Sequence, residues 1–567
     1  MKMLEITDRN IHALLETLRT PKERRAVREK QNTIREYQGK PIWTADAETD
    51  PFKIGRLPEP FIWGLYTGEE YFEFTDTDDF LDFVSEQEAI VYAHNGGKFD
   101  WHFISHHINH FEPVTIIGSR LAKFKIGACE FRDSYNLIPS PLSAYKKDDI
   151  DYAIMEADVR HEPENWQKIR DYLKGDCVYL HELITAFVDE YGMHLTQAGA
   201  AMKTWAAMEG IKPPQSTSFY YADIARFYYG GRTECFERGI IERDFSVVDI
   251  NSAYPFAMIH EHPWGMEYDT YNEMPEWFDD DDISRSFITL KCDSFGAFPF
   301  RGDNGLGFPA DGNRRIFTVT GWEYLAARDT GTLSNAVITE VLAYSETINF
   351  RKYVDHFFNM KAEAKKTGDI GRYIFAKIFL NALYGKFAAN PENYDEFEVI
   401  PADLLAGAFD EGWFFCQMLG QDSAIVNKPL GIEKRRYYDV AIGASITGFV
   451  RAYLWRNICS CKIPLYCDTD SIAAVDVSGV ALSDNLGDWD LEAECDYAAI
   501  AGKKLYAFRK KNVPREKRWK LASKGVKLTH KEIIRVAKGE TVLYETDVPT
   551  FSIKRERKFV NRNIRMT

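Results

Sequence analysis

The chain has 567 residues, 45% of them hydrophobic, which is material for about three or four domains with separate cores. Its formal net charge of −16 argues against a simple basic protein that coats nucleic acid. The charge is segregated, however: residues 501–567 hold 20 Lys/Arg against 6 Asp/Glu, which is +14, so residues 1–500 carry −30, an acidic body with one polyanion-gripping end.

No uncharged apolar stretch approaches the ~18 residues of a bilayer span, since the run 440–450 is closed by Asp439 and Arg451. Residues 1–5 begin no signal-peptide core, so export is not expected. The nine cysteines are scattered, with Cys459 and Cys461 the only close pair, which indicates neither a disulfide framework nor a zinc ribbon and a reducing, intracellular setting.

In chain order, residues 7–36 are predicted helical, with Ile11, Leu14, Leu15 and Leu18 at helical spacing. From Arg19 to Lys40 the segment holds eight Lys/Arg against three Glu, the pattern of a solvated amphipathic helix or of a nucleic-acid or partner arm. An α/β pattern follows over 41–187, with strand-like runs Ile42–Ala47, Ala89–His94 and Phe124–Asp133. His102, His106 and His110 recur at i, i+4, i+8 but lack the Glu and third-ligand context of zinc helices. A mixed region reaches residue 350, and within it the run Asp279–Asp282 reads as a solvated acidic loop rather than a cation site. Gly, Pro and Asn punctuate Pro299–Arg315. Phe350–Phe387 reads as one or two helices, Asn390–Tyr438 as irregular, Gly443–Asn457 as a helix and Ile463–Val477 as an alternating hairpin before the basic end.

Two constellations carry chemistry. In the first, Asp46 and Glu48 stand two apart in a strand-like run and face one side. Tyr92-Ala-His-Asn95-Gly-Gly-Lys-Phe99-Asp100 adds an amide and a third carboxylate near a helix start. Tyr172 and Asp176, four apart on a predicted helix, share a face. Four acids held close repel unless cations screen them, and two divalent ions about 4 Å apart would do so while activating a water and steadying a leaving alkoxide. In the second, Asp249-Ile-Asn-Ser252-Ala-Tyr254 follows a strand, and Tyr466-Cys-Asp468-Thr-Asp470-Ser471 reads as strand, tight turn, strand. Asp249 and Asp470 could bridge two magnesium ions for nucleotidyl transfer. Between them, Lys377, Asn381 and Tyr384 follow i, i+4, i+7 on one helical stripe, suited to a triphosphate and a base. Lys504-Leu-Tyr506 opens the basic region with two strand positions on one face, suited to a primer strand.

The ordered set resembles family B DNA polymerases, specifically the small protein-primed, phi-twenty-nine-type polymerases of bacteriophages, over residues 40–567. Tyr228-Tyr-Gly230-Gly231 matches that family's linker between exonuclease and polymerase, Lys504-Leu-Tyr506 its primer-gripping motif, and Lys524-Gly525 a Lys element before the thumb. The resemblance implies a mixed α/β and α+β multidomain fold: an RNase H-like 3′–5′ exonuclease followed by a right-hand polymerase with two insertions. It divides the chain into a helical basic extension (1–40), exonuclease (41–196), palm (197–260 and 440–525), fingers (353–388), thumb (526–567), a first insertion thought to dock a priming protein (261–352) and a second associated with strand displacement (389–439).

By this resemblance Asp46, Glu48, Asp100 and Asp176 are metal-binding exonuclease acids, Tyr172 and Lys147 serve the same reaction, Asn95, Phe99 and Tyr172 position the single-stranded 3′ end, and Ser134 contacts DNA. In the polymerase site the metal ligands are Asp249, Ile250 and Asp470, with Asp468 beside them. Lys377 and Lys365 meet the triphosphate, Asn381 and Ser252 join the nucleotide site, Tyr254 excludes a 2′-hydroxyl and Tyr384 lines the nascent pair. Tyr228, Gly230, Gly231, Thr447, Arg451, Lys504, Tyr506 and Lys524 are assigned to DNA. The expected cofactor is Mg2+, two ions per site with Mn2+ able to substitute. The expected partners are template-primer DNA, dNTPs and a terminal protein, for a monomer acting in the host cytoplasm. Departures fall at support positions: Ala253 where the family has Leu, Ala382 where it has Ser, Tyr135 where it has Leu, and Val450 where it has Gly or Ala. Removing the second insertion is expected to spare gap filling and abolish copying through duplex. Three other readings stand beside this one: a polymerase that starts from a nucleic-acid primer or none, a nuclease with a decayed polymerase half, and a non-catalytic DNA scaffold. Intact acids in both constellations weigh against the last two.

Overall fold

The structure is a computed structural model that describes residues 36–567 apart from 38, 304, 547, 548, 554, 559 and 560. The predicted N-terminal helix therefore lies outside the described residues up to 35. Glu36–Tyr37 and Lys40 are extended rather than helical, with Gly39 (φ +80°) in a turn and Tyr37 paired with Lys40. The chain forms two compact units, the first from the described residues up to Thr196 with 396–428 and 551–557, the second from the remainder. All nine cysteines are free thiols, and no described helix is long and apolar enough to cross a membrane.

The first unit is built on an 11-stranded sheet. At its centre Lys40–Thr49 runs parallel to Ile90–Ala93, which runs parallel to Cys129–Asp133. The long Pro163–Tyr191 helix packs on this centre, with Thr44 Oγ1 donating to the Cys177 carbonyl at 2.8 Å. The run expected as one strand over Phe124–Asp133 is a hairpin, Arg120–Ile126 and Cys129–Asp133. Gly127 makes the turn at φ +58°, where a Cβ would strike the Ser85 carbonyl.

The expectation of irregular structure over 390–438 is also corrected. Asp395–Pro401, Phe414–Leu419 and Ser423–Pro429 are strands, and the first pairs Phe397 with Val114 on the strand Pro113–Ile117. Phe397 and Val399 are 5% and 0% exposed, each contributing about 1.5–3 kcal/mol by burial.

The second unit holds an eight-stranded antiparallel sheet in the order Trp519–Ser523, Leu505–Lys510, Trp489–Gly502, Phe245–Ile250, Ser471–Asp476, Lys462–Asp468, Thr233–Cys235, with Gly239–Ile241 also on Trp489–Gly502. Phe350–Phe387 contains Arg351–Thr367 and Ile370–Ala382, separated where Gly368 turns at φ +75° and Asp369 caps the Arg372 N–H. Helix Val440–Ser460 and hairpin Lys462–Asp468/Ser471–Asp476 lie where the periodicity puts them. Of the Asp279–Asp282 run, Asp279 caps the short helix Asp280–Ser284, while Asp280 and Asp282 pair with Arg328 and Arg285.

Candidate active sites

In the first unit, Asp46 and Glu48 sit on one face of Lys40–Thr49. Past Ile90–Ala93 the chain turns through Asn95 (φ +66°) to the helix Trp101–Ile104. Asp100, 2% exposed, stands at that helix start, and its Oδ1 accepts the Ala47 N–H at 3.3 Å, which ties it to the strand of Asp46 and Glu48. Asp176, 5% exposed, comes from the Pro163–Tyr191 helix, one turn after Tyr172. Lys147 Nζ donates to Asp176 Oδ2 at 2.9 Å and lies 5.0 Å from the centre of the Tyr172 ring, whose hydroxyl is 3.0 Å from that of Tyr152.

Burial and mutual repulsion raise all of these acids. Asp46 is pushed well above the carboxylate range by burial, then by Asp100, Glu48 and Asp176. Glu48 rises to about 8 through burial and then Asp176, and Asp100 to about 7 through burial. Asp176 is raised by burial while Lys147 and Tyr172 pull it back. A coupled set of hard oxygen donors suits a hard divalent cation. Among the described residues no three His, Cys, Asp or Glu side chains converge as a closed cage, so these acids are coupled through space without closing on one point.

Around this cluster, Arg120 Nη1 holds Asn95 Oδ1 at 2.6 Å and Asp133 Oδ2 at 3.1 Å. Half-buried Phe99 meets the rings of Phe52, Phe103 and Phe551 edge-on at 5.2–5.6 Å. Ser134 is buried rather than exposed: at 0% exposure its hydroxyl donates to the Ala93 carbonyl and sits 3.0 Å from His94 Nδ1, beneath the Asn95 loop. The three histidines make no continuous stripe, because a 3-10 turn at Ser105–His107 follows the helix, and His110 Nε2 lies 2.8 Å from the Ser423 hydroxyl.

In the second unit, Asp249 lies directly across from Ser471, and the Ile250 N–H donates to the Asp470 carbonyl at 2.8 Å. Asp468 and Ser471 close the hairpin and leave Thr469 and Asp470 at its tip. Thr469 holds φ +61°, a region β-branched residues rarely adopt. Its N–H donates to the Arg232 carbonyl at 2.6 Å, and a Cβ on Gly231 would meet its side chain at 2.9 Å. Burial, then Asp470 and Glu492, raises Asp249 to about 7, and burial followed by Asp468 raises Asp470. Asp468 is engaged by the chain itself: Lys504 Nζ donates to both its oxygens at 2.6 and 2.8 Å, and Thr233 Oγ1 donates at 2.9 Å. Asp249 and Asp470 are hard oxygen donors of the kind that suits a divalent ion.

Tyr254 and Tyr384 stack with ring centres 3.9 Å apart and planes 5° apart, within reach of the Asp470 charge. Ser252 precedes Tyr254 at φ +56°, and its side chain caps no helix N–H. The stripe expected from Lys377 to Tyr384 is one helix only to Ala382, and Tyr384 opens a new turn after Leu383. Lys377 and Asn381 are exposed, with Asn381 Nδ2 donating to the Lys377 carbonyl at 2.8 Å. Exposed Lys365 and Lys377 share their field with Lys361, held below its usual value by burial and then by those two charges. Lys361, four residues before Lys365, was missed although that spacing puts both on one face. Also missed were Glu492, paired with Lys520, and Asp490, which stands opposite Asp249. The alternation of acids along 490–494 was their only signal.

Several residues assigned to DNA are buried. Thr447 and Arg451 are 2% and 1% exposed inside the Val440–Ser460 helix, where Thr447 Oγ1 donates back to the Gly443 carbonyl. Tyr506, 7% exposed, packs its ring on Tyr466 and Phe508 in the sheet core. Lys504 is in the turn before Leu505–Lys510, not in the strand, so it and Tyr506 are not two positions of one strand face. Gly230 and Lys524 are exposed, Tyr228 and Gly231 half-buried, and the Lys524 N–H donates to the Lys504 carbonyl at 3.0 Å.

A profile of the family described as DNA polymerase type B, organellar and viral, matches residues 140–404. The chain is 37% identical to the DNA-directed DNA polymerase of Enterobacteria phage PRD1 over 562 residues, covering 92% of this chain and 97% of that one. A probable DNA polymerase of Ascobolus immersus is 23% identical over 335 residues, 54% of this chain and 27% of that one. Among solved structures, Phi29 DNA polymerase with primer-template DNA and incoming nucleotide superposes with a TM-score of 0.69 at 19% identity, covering 93% of this chain and 99% of that one. The same enzyme with single-stranded DNA gives 0.70 at 18%, covering 93% and 100%. The fold is thus an exonuclease joined to palm, fingers and thumb, and the chain belongs to the organellar and viral type B DNA polymerases.

Proposed function

We propose that this chain starts synthesis on a protein primer, adds deoxynucleotides at the Asp249–Asp470 site, edits with the Asp46–Asp176 cluster as a 3′–5′ exonuclease, and copies through duplex DNA. As a member of its family it is a DNA-directed DNA polymerase, and such enzymes work with divalent metal ions. The observation that carries the reading is the pair Asp249 and Asp470, on a strand and on the tip of the hairpin beside it, close enough for Asp470 to raise Asp249, with the stacked Tyr254–Tyr384 pair in the field of Asp470.

Asp249, Ile250 and Asp470 would hold Mg2+ in one site and Asp46, Glu48, Asp100 and Asp176 in the other, two ions in each, with Mn2+ an acceptable substitute. Bound there, the ions lower the pKa of the attacking hydroxyl or water and neutralise the leaving group. The chain does the rest. Lys365 and Lys377 take the triphosphate, Tyr254 excludes a 2′-hydroxyl, and Tyr384 lines the base pair. Lys147 balances the exonuclease acids, and Asn95, Phe99 and Tyr172 hold the frayed 3′ end. Residues 197–260 and 440–525 act as palm, 353–388 as fingers and 526–567 as thumb. The segment 261–352 receives the terminal protein, and 389–439 serves strand displacement. The enzyme works as a monomer in the host cytoplasm.

Asp470→Asn stops primer extension and leaves 3′–5′ digestion intact, whereas Asp46→Ala with Asp100→Ala does the reverse. Extension by the first variant or digestion by the second refutes the corresponding site. With a purified terminal protein, Mg2+ and labelled dATP, the product is a covalent protein–nucleotide adduct. Unlabelled protein would rule out protein priming for that pairing and leave a start from a nucleic-acid primer or from none.

A further inference from the structure

Arg451 is a charged residue in the interior of the second unit, 1% exposed in the middle of Val440–Ser460. A guanidinium out of water must be paired and hydrogen-bonded to be tolerated. Its partner is Glu323, also 1% exposed, whose Oε1 accepts the Arg451 Nε–H at 2.7 Å. Glu323 is itself fixed, as the third residue of the helix Gly321–Asp329. Its Oε2 accepts the N–H and the hydroxyl of the capping Thr320, both at 3.0 Å. One carboxylate oxygen thus secures a helix start and the other aims the guanidinium.

The aimed end grips backbone. Arg451 Nη1 donates to the carbonyls of Tyr229 at 2.5 Å and Gly230 at 3.0 Å. Glycines at 230 and 231 leave this backbone free to wander unless something clamps it. Directly after the clamped carbonyls come Gly231, with no room for a Cβ against Thr469, and Arg232, whose carbonyl accepts the Thr469 N–H. Thr469 is the left-handed residue between Asp468 and Asp470, and such a conformation persists only where its surroundings over-determine it. Arg451 Nη2 is buried without a hydrogen-bond partner among the described residues, and the guanidinium charge reaches the phenols of Tyr228 and Tyr254.

We propose that Glu323 is a positioning residue for nucleotidyl transfer: through Arg451 it sets the Tyr229–Arg232 backbone, and with it the turn that presents Asp470. This rests on reading Asp249 and Asp470 as the polymerisation carboxylates. An apolar pair of equal volume can replace a buried ion pair in stability, but it supplies no donors to the two carbonyls.

The test uses the full chain, primer-template DNA, Mg2+ and dNTPs, with Glu323→Gln, Arg451→Met, the two together, and Gly231→Ala. Each of the first two leaves one buried charge uncompensated and lowers Tm. The double variant carries neither charge, retains an amide oxygen for the Thr320 cap, and regains Tm. Its kcat stays down by about 10- to 100-fold, with KM for dNTP within about twofold, the signature of displaced reacting groups. Gly231→Ala reproduces the kcat loss, and digestion of single-stranded DNA by Glu323→Gln equals that of the unaltered chain. Recovery of kcat together with Tm in the double variant overturns the proposal, as does an unaffected kcat in Gly231→Ala. Failure of the unaltered chain to extend any primer would overturn the polymerase reading instead, and it is seen without any variant.

Discussion

Asp468 and Asp470 are two residues apart in one motif, yet the structure gives them different work. Asp468 is gripped by Lys504 through both oxygens, while Asp470 stands close enough to Asp249 to raise it. Asp470→Asn is therefore expected to abolish extension, whereas Asp468→Asn gives a partial loss that Lys504→Met reproduces. The double variant is no worse than either single one, because both break the same ion pair. A primer-extension double-mutant cycle measures this, and additive losses would show two independent roles. His262 makes a separate, pH-linked contribution. It is fully buried, with Nδ1 2.9 Å from the Ser445 hydroxyl and Nε2 2.8 Å from the Ala257 carbonyl, and burial lowers its pKa to about 4. As pH falls below 6.5 the unfolded chain takes up a proton that the folded chain refuses, so stability drains away between pH 6.5 and 4, by about 3 kcal/mol in all. In urea titrations across that range His262→Gln should lose that much less than the unaltered chain, and parallel curves would remove the assignment. The acids of both sites were legible because their chemistry demands particular residue types at short spacings. The burial of Ser134, Thr447, Arg451 and Tyr506 was not legible, because exposure is decided by elements far away in the chain, which local spacing cannot register.

The same limit operates on whole elements. The helices Arg351–Thr367, Ile370–Ala382 and Val440–Ser460 were legible because helical periodicity is carried within the segment. The strands within 395–429 were not, because their partner lies nearly 300 residues earlier, at Pro113–Ile117. This alters how strand displacement should be tested. Deleting 389–439 would strip a partner from Pro113–Ile117 and take Phe397 and Val399 out of the core they share with Val114, confounding loss of function with loss of fold. The exposed aromatics of the segment offer a cleaner route: Phe409, Phe414 and Phe415 are 51%, 60% and 48% exposed on the helix Leu405–Asp410 and the strand Phe414–Leu419. Rings kept in water at such positions are suited to unstacked bases. Changing all three to Ala should leave Tm and short-gap filling unchanged while slowing synthesis through duplex by about tenfold, the scale of one base–aromatic stack. An unchanged displacement rate would acquit these side chains.

At the scale of the whole molecule, the acidic total of −16 conceals a basic C-terminal end, and the structure shows that part of this end is already spent. Lys504, Arg509, Lys511, Lys520 and Arg535 pair with Asp468, Asp496, Asp244, Glu492 and Glu540. Lys517, Lys524 and Lys527 are exposed to water. Only charges that displace counterions from DNA steepen the salt dependence of binding, each by about 0.9 in the slope of log K against log salt. Lys517→Gln, Lys524→Gln and Lys527→Gln together should therefore flatten that slope for primer-template duplex by about 0.9 for every phosphate that these lysines neutralise. Lys511→Gln, which gives up a charge held by Asp244, should leave the slope where it was. Fluorescence-anisotropy titrations over a range of KCl concentrations measure both. A triple variant with the original slope would move the phosphate grip away from these lysines, and a flattened slope for Lys511→Gln would show that its pair with Asp244 opens when DNA binds.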